Sequence, residues 1–424
     1  MQRLNQLSAS EAARRLARRE ITAEQMARAC LARIEEREAT VRAWIHLDPD
    51  AVLAQARELD AGPLRGPLHG LPLGVKDLID TADMPTAYGS PIYAGHRPRA
   101  DAACVALARA AGALVLGKTV TTEFAWFYPG TTTNPHNPAH TPGGSSSGSA
   151  AAVADCMVPL AFGTQTAGSI IRPASYCGIV GYKPTHGSLP RAGIKPLSDS
   201  LDTLGTLTRT VADAALLVSA LSGRDLMPKP LQQAPRIGVC RTSEWNAAQP
   251  ETVAAMERTA AALARAGAKL SEIVLPSEFA GITQAQIDIM NYESHASLAC
   301  ERLQHYSALS DKLKQLLANA AQCDAARYDA ALALVASCRN RLDEAFAGVD
   351  VLLAPSAPGE APAGLAATGD PIFCRMWTVL HAPAINLPCA VGPRGLPVGL
   401  QFVGRRGDDA RALAVADWAH QRIA

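Results

Sequence analysis

Residues 141–178 read TPGGSSSGSAAAVADCMVPLAFGTQTAGSIIRPASYCG, and the fold turns on how they are interpreted. Two clusters of small hydroxyl and glycine residues, Gly143–Ser149 and Gly163–Ser169, flank an apolar segment. Ser149 is suited to cap a helix, and Ala150–Ala154 are good helix formers behind it. Val158–Phe162 then reads as a buried strand, with Pro159 tolerable near its start. One short helix–strand unit therefore carries two serine-bearing loops towards each other.

Three simpler readings of the stretch are weaker. A flexible Gly/Ser linker would not enclose a patterned helix and strand. A phosphate-binding loop needs Lys-Ser/Thr after its last glycine, whereas Gly148 is followed by Ser149 and Ala150. Gly144-Ser-Ser-Ser-Gly148 formally fits a nucleophile elbow centred on Ser146, but that elbow must leave a strand directly. The approach, Asn134-Pro-His-Asn-Pro-Ala-His-Thr-Pro142, is a turn-rich segment instead.

Further out, the chain is patterned as an α/β protein. Ser8–Glu11 and Thr22–Gln25 are capping-box signals opening two helices in the N-terminal 60 residues. Leu73-Gly-Val-Lys-Asp77 is an apolar strand containing a lysine. Lys76 there either pairs with Asp77 or is desolvated, loses its proton more easily and serves as a base. A helix over 101–112 and a parallel-type strand over 113–118 follow. Four aromatics lie in Phe124–Tyr128, a composition more often found in core than in a pocket. A polar, proline-bearing connection occupies 223–235, with a strand at 236–240 and a helix over 253–266 stopped by Gly267. Residues 275–349 are mostly helical, and strand patterning returns at 351–355, 383–388 and 395–404. No internal repeat is present.

Composition narrows the class. Of 424 residues, 48% are hydrophobic and 19% charged, as expected of a globular chain with ample core. The formal net charge of +1 gives no electrostatic footprint for nucleic acid or an anionic membrane. The ten cysteines contain no C-x-x-C pair, so neither a zinc site nor a redox dithiol is expected. No apolar run reaches the about 18 residues of a membrane span. The first twenty residues are amphipathic and charged, unlike a secretory leader, and a cytoplasmic location is expected.

Gly143-Gly-Ser-Ser-Ser-Gly-Ser149, Gly163-Thr-Gln-Thr-Ala-Gly-Ser169 and Tyr176-Cys-Gly-Ile-Val-Gly-Tyr-Lys-Pro184 together resemble the three linked motifs of the amidase signature family, in register. The resemblance is strong over 60–222 and weaker over 350–420. It implies one amidase domain over 1–424, with a central mixed twisted sheet wrapped by helices and a catalytic core over 61–222. The variable region 275–349 would shape the substrate site. It further implies a Ser-cisSer-Lys triad: Ser169 as nucleophile, Ser145 as bridge through a cis Gly144–Ser145 peptide, and Lys76 as base. The backbone N–H groups of Thr166, Ala167, Gly168 and Ser169 would form the oxyanion hole. Tyr128 would border the acyl pocket. Relatives usually carry glycine at 167 and aspartate at 165, where this chain has Ala167 and Gln165.

Arg172 lies three residues past Ser169, a spacing found in malonamidase-like members, where the arginine holds a substrate carboxylate. The alternative is a structural ion pair behind the helix that Pro173 starts. The expected activity is cofactor-free and metal-free hydrolysis of a small amide, one carrying a nearby carboxylate being admissible. The expected partner is that small molecule, with no nucleic acid, no membrane and at most a homodimer. Two rival readings are the glutaminase subunit of a tRNA-dependent amidotransferase and a non-catalytic binding protein that retains the fold.

Overall fold

In the computed structural model, which describes residues 3–423, one sheet dominates. Its strands in chain order are β1 (Trp44–Leu47), β2 (Pro72–Lys76), β3 (Leu114–Thr119), β4 (Leu160–Gln165), β5 (Val180–Lys183), β6 (Thr203–Thr208), β7 (Arg236–Cys240), β8 (Lys269–Ile273), β9 (Val351–Pro355), β10 (Ala384–Val391) and β11 (Pro397–Val403). They form an 11-stranded mixed sheet of order β1-β3-β2-β4-β6-β5-β10-β11-β9-β7-β8. Strands β3, β2 and β4 run parallel, while β4, β6, β5, β10, β11 and β9 alternate in direction. Helices cover the sheet, so the chain is an α/β protein with the expected mixed architecture. Every residue of β2, β3 and β4 is buried, as strands covered on both faces should be.

Local chemistry explains several boundaries. Thr22 and Gln25 complete a reciprocal capping box on helix Ala23–Val41. The Ser8 box is half-formed: its side chain accepts from Glu11 N–H, but the Glu11 carboxylate turns to Arg14 and Arg15. The helix of the central stretch starts earlier than its composition suggests, at Ser147, and runs to Ala154. Ser149 therefore sits inside it and caps nothing. Its hydroxyl donates to the Phe162 carbonyl at 2.8 Å and meets Thr119 Oγ1 at 2.7 Å, tying the helix to β4 and β3. Strand β4 begins after Pro159, which has no N–H for a ladder, and extends to Gln165. It thereby takes the first half of the second serine loop into the sheet.

The region 275–349 is helical, with long helices at Ile282–Ser297 and Ala325–Ala345 packed on each other. Helix Ile282–Ser297 also packs on Ile372–Val379, which abuts the serine loops. Among the described residues, no helix is long and apolar enough to cross a membrane.

Candidate active site

The parallel strands β2 and β4 lie side by side, and their ends bring Lys76 and Thr164 together. Lys76 Nζ donates to Ser145 Oγ and to Thr164 Oγ1, both at 2.7 Å. The lysine is fully buried and forms no pair with Asp77; that carboxylate faces Lys118 at 3.3 Å instead. Burial pushes the Lys76 ammonium down to about 7, against the opposing field of Asp202. Asp202 is itself raised by burial, although Thr166 Oγ1 and the N–H groups of Leu197 and Ser198 donate to it.

The two serine loops close on one another. The Gly144–Ser145 peptide is cis, and Ser146 N–H donates to the Ser169 carbonyl at 3.4 Å. Ser145 is 1% exposed and Ser169 7%, so the second serine is the less enclosed of the two.

Residues 166–169 form a loop whose carbonyls all have donors on the protein side. Thr166 C=O accepts from Gln286 Nε2 at 3.0 Å, and Ala167 C=O from Thr378 Oγ1 at 2.7 Å. Gly168 C=O accepts from Arg172 N–H, and Ser169 C=O from Ser146 N–H. The N–H groups of the same four residues have no acceptor among the described residues. With the carbonyls turned outward, these N–H groups are available to an anionic oxygen. Ala167 has no positive φ, so its β-carbon is no obstacle to this path. Gly168 is different: a β-carbon there would lie 2.8 Å from Pro371 Cβ and 3.0 Å from Cys374 Cβ. Gln165 accepts from Ile170 and Ile171 N–H through Oε1 at 2.9 and 3.0 Å. Its Nε2 donates to Thr378 Oγ1 at 2.9 Å, so it serves the first turn after Ser169.

Arg172 lies beneath the loops and is 1% exposed. It donates to the Gly144 carbonyl and to Gly369 C=O at 2.7 Å, and to Thr368 Oγ1 at 3.0 Å. No carboxylate is among these partners. Tyr128 is 45% exposed, and its backbone carbonyl accepts from Glu123 N–H. The ring that lies among charged groups is that of its neighbour Phe127, 6.0 Å from Arg172 Cζ and 5.9 Å from Arg375 Cζ. Beside the Thr164–Thr166 segment opens a cavity of about 360 Å³ also lined by Ala125, Arg191, Lys195 and Asp202.

Thr164, Asp202, Gln286, Thr378 and Arg375 were not legible as site residues in sequence. Thr164 lies inside the Gly163–Ser169 cluster, but its approach to Lys76 follows only from the pairing of β2 with β4. The others arrive from distant elements.

The chain is similar to known proteins over nearly its full length. The amidase family model matches residues 25–413. A glutamyl-tRNA(Gln) amidotransferase subunit of Chloroflexus aurantiacus is 35% identical over 481 aligned positions, covering 100% of this chain and 98% of that protein. A solved structure described as an amidase superposes with a TM-score of 0.91 at 32% identity, covering 99% of this chain and 100% of its own. The peptide amidase of Stenotrophomonas maltophilia gives 0.82 at 31%, covering 99% and 97%. The corresponding amidotransferase subunit of Thermotoga maritima gives 0.82 at 27%, covering 97% and 94%.

These relatives correct one expectation. A chain serving only a small molecule, with no nucleic acid involved, does not fit full-length likeness to proteins named as subunits of a glutamyl-tRNA(Gln) amidotransferase. The net charge of +1 was insufficient ground, because it averages the whole surface and says nothing of assembly through other subunits. The likeness also does not single out malonamidase-like members. At the level the motifs, sheet and full-length matches share, this chain belongs to the amidase family.

Proposed function

We propose that this chain cleaves an amide C–N bond through an acyl-enzyme, with Ser169 as nucleophile, Ser145 as proton relay and Lys76 as base. The observation that carries the reading is the 2.7 Å bond from Lys76 Nζ to Ser145 Oγ, between two side chains that are both buried. A lysine whose ammonium form is disfavoured by burial accepts a proton near neutral pH. Ser169 Oγ attacks the amide carbon as its proton passes to Ser145 and the Ser145 proton passes to Lys76. The oxyanion is held by the unpartnered N–H groups of residues 166–169. On collapse the C–N bond breaks, and the proton returns along the same path to the leaving nitrogen. Water then attacks the acyl ester, the relay runs again, and Ser169 is restored with release of the carboxylic acid.

The full-length curated relatives favour a glutamine side chain as the amide, with the chain as the ammonia-releasing subunit of a tRNA-dependent amidotransferase. A stand-alone amidase is the second reading, favoured by the high superposition on amidases at comparable identity. Ammonia release from glutamine and from short amides by the purified chain, alone and with a tRNA-binding subunit, separates the two. Retention of amide turnover by Lys76→Ala or Ser169→Ala would reject the mechanism under both.

A further inference from the structure

Two guanidinium groups, Arg172 and Arg375, flank the Phe127 ring, and neither has a carboxylate partner among the described residues. Their situations differ. Arg172 spends both terminal nitrogens on the carbonyls of Gly144 and Gly369 and the Thr368 hydroxyl, which leaves only its buried Nε without a partner among the described residues. Arg375 is 8% exposed and uses one N–H on Gln286 Oε1, with no further acceptor among the described residues. Burial pushes its guanidinium down to about 10, against the opposing field of exposed Asp370 and with a smaller push from the neighbouring Arg172. An aromatic face returns less than such burial removes, so the arrangement is that of a cation awaiting an anion.

Arg375 is also coupled to the reacting centre. Gln286, which accepts from it, donates through Nε2 to the Thr166 carbonyl at 3.0 Å, on the back of the loop that ends at Ser169. The helix carrying Arg375, Ile372–Val379, begins against Gly168. A charged group on the acyl portion of a substrate held at Ser169 thus has a nearby fork of free N–H donors, a shape that matches a carboxylate.

Building on the amide-hydrolase reading, we propose that Arg375, oriented by Gln286 and Phe127, binds a carboxylate on the acyl portion of the substrate, while Arg172 only positions the Ser145 loop. The α-carboxylate of glutamine and the terminal carboxylate of a dicarboxylic half-amide share this chemistry.

The test measures kcat and KM for glutamine, for glutaric acid half-amide and for valeramide as a neutral amide of the same chain length. The proteins are wild type, Arg375→Gln, Arg375→Lys and Arg172→Gln. Wild type is expected to prefer a carboxylate-bearing amide, and Arg375→Gln to reduce the anionic-to-neutral ratio of kcat/KM about 10- to 100-fold, mainly through KM. Arg375→Lys keeps the charge without the fork and should fall between. Arg172→Gln should lower kcat on anionic and neutral amides alike, leaving the ratio in place. Whichever of glutamine and half-amide is favoured identifies the source of the carboxylate. An unchanged ratio in Arg375→Gln, or a ratio that collapses in Arg172→Gln instead, overturns the proposal.

Calorimetric titration with glutarate, which has no amide, reads the anion site without turnover. Binding to wild type that is lost in Arg375→Gln supports it, and no binding to wild type or equal binding to both overturns it. If wild type cleaves no amide yet binds glutarate through Arg375, the amide-hydrolase reading fails and the anion site stands.

Discussion

In the proposed mechanism Lys76 concentrates the chemistry in one side chain, because its neighbours offer it hydroxyl oxygens and no direct counter-charge. Ser145 and Thr164 accept from Nζ, and the opposing field comes only from Asp202. If the neutral amine is the working base, kcat/KM should fall about tenfold per pH unit below about 7, where burial sets the ammonium equilibrium. Asp202 holds the proton on; Asp202→Asn should therefore move this acid limb to lower pH. A pH profile of both proteins checks the sign, and a limb that stays in place or moves to higher pH contradicts it. Lys76→Ala should cost about 10²- to 10⁴-fold in kcat, as expected for loss of a general base. A lysine inside an apolar strand was visible in the sequence. Thr164, 88 residues away, became its partner only through the pairing of β2 with β4.

At the scale of the element, the 166–169 loop keeps its N–H groups unpartnered among the described residues because other segments take all of its carbonyls. Gln165 is the least conspicuous contributor: its Oε1 accepts from two N–H groups at the start of helix Ile171–Cys177. Gln165→Leu leaves those buried donors without partners, at about 1–3 kcal/mol for each. A lower urea midpoint is expected, whereas an unchanged midpoint would mean that water or a shifted backbone serves the donors. Gly168→Ala attacks the same loop by volume, pressing a methyl against Pro371 and Cys374. Overpacking of that kind costs about 1–3 kcal/mol, and any shift of the loop should lower kcat along with the melting temperature. Hydroxyl and glycine clusters made the loop itself legible. The donors behind it were not, since Thr378 and Gln286 lie 211 and 120 residues away from the carbonyls they serve. Sequence periodicity carries no information about such pairings.

The whole molecule is a sheet whose order departs widely from chain order, which is why strands could be read one by one but their neighbours could not. The β2–β4 contact joins two segments that β3 separates in sequence, and β10 pairs with β5 across two hundred residues of chain. Apolar runs marked β2, β3 and β9 clearly; the register that sets Lys76 beside Thr164 is a property of the assembled sheet. The N-terminal helices, read from sequence as scaffold, have a specific attachment to the central stretch. Arg33 and Arg37 of helix Ala23–Val41 grip Asp155, the residue that ends helix Ser147–Ala154, at 2.5 and 2.9 Å. Arg33 Nε also donates to the Asp155 carbonyl at 2.9 Å. Asp155 is 7% exposed, so Asp155→Ala would leave two cations facing a buried gap. Breaking a fully buried pair costs about 3–5 kcal/mol, and solvent at the arginines reduces this to about 2 kcal/mol here. Urea unfolding should show a lower midpoint at unchanged slope, with Asp155→Asn losing less because its one Oδ1 still accepts from one of the two guanidinium groups. Below the transition kcat should stay near wild type, because Ser145 is held independently by Lys76. A loss of kcat in the folded protein would instead make the N-terminal helices part of how the serine loops are positioned.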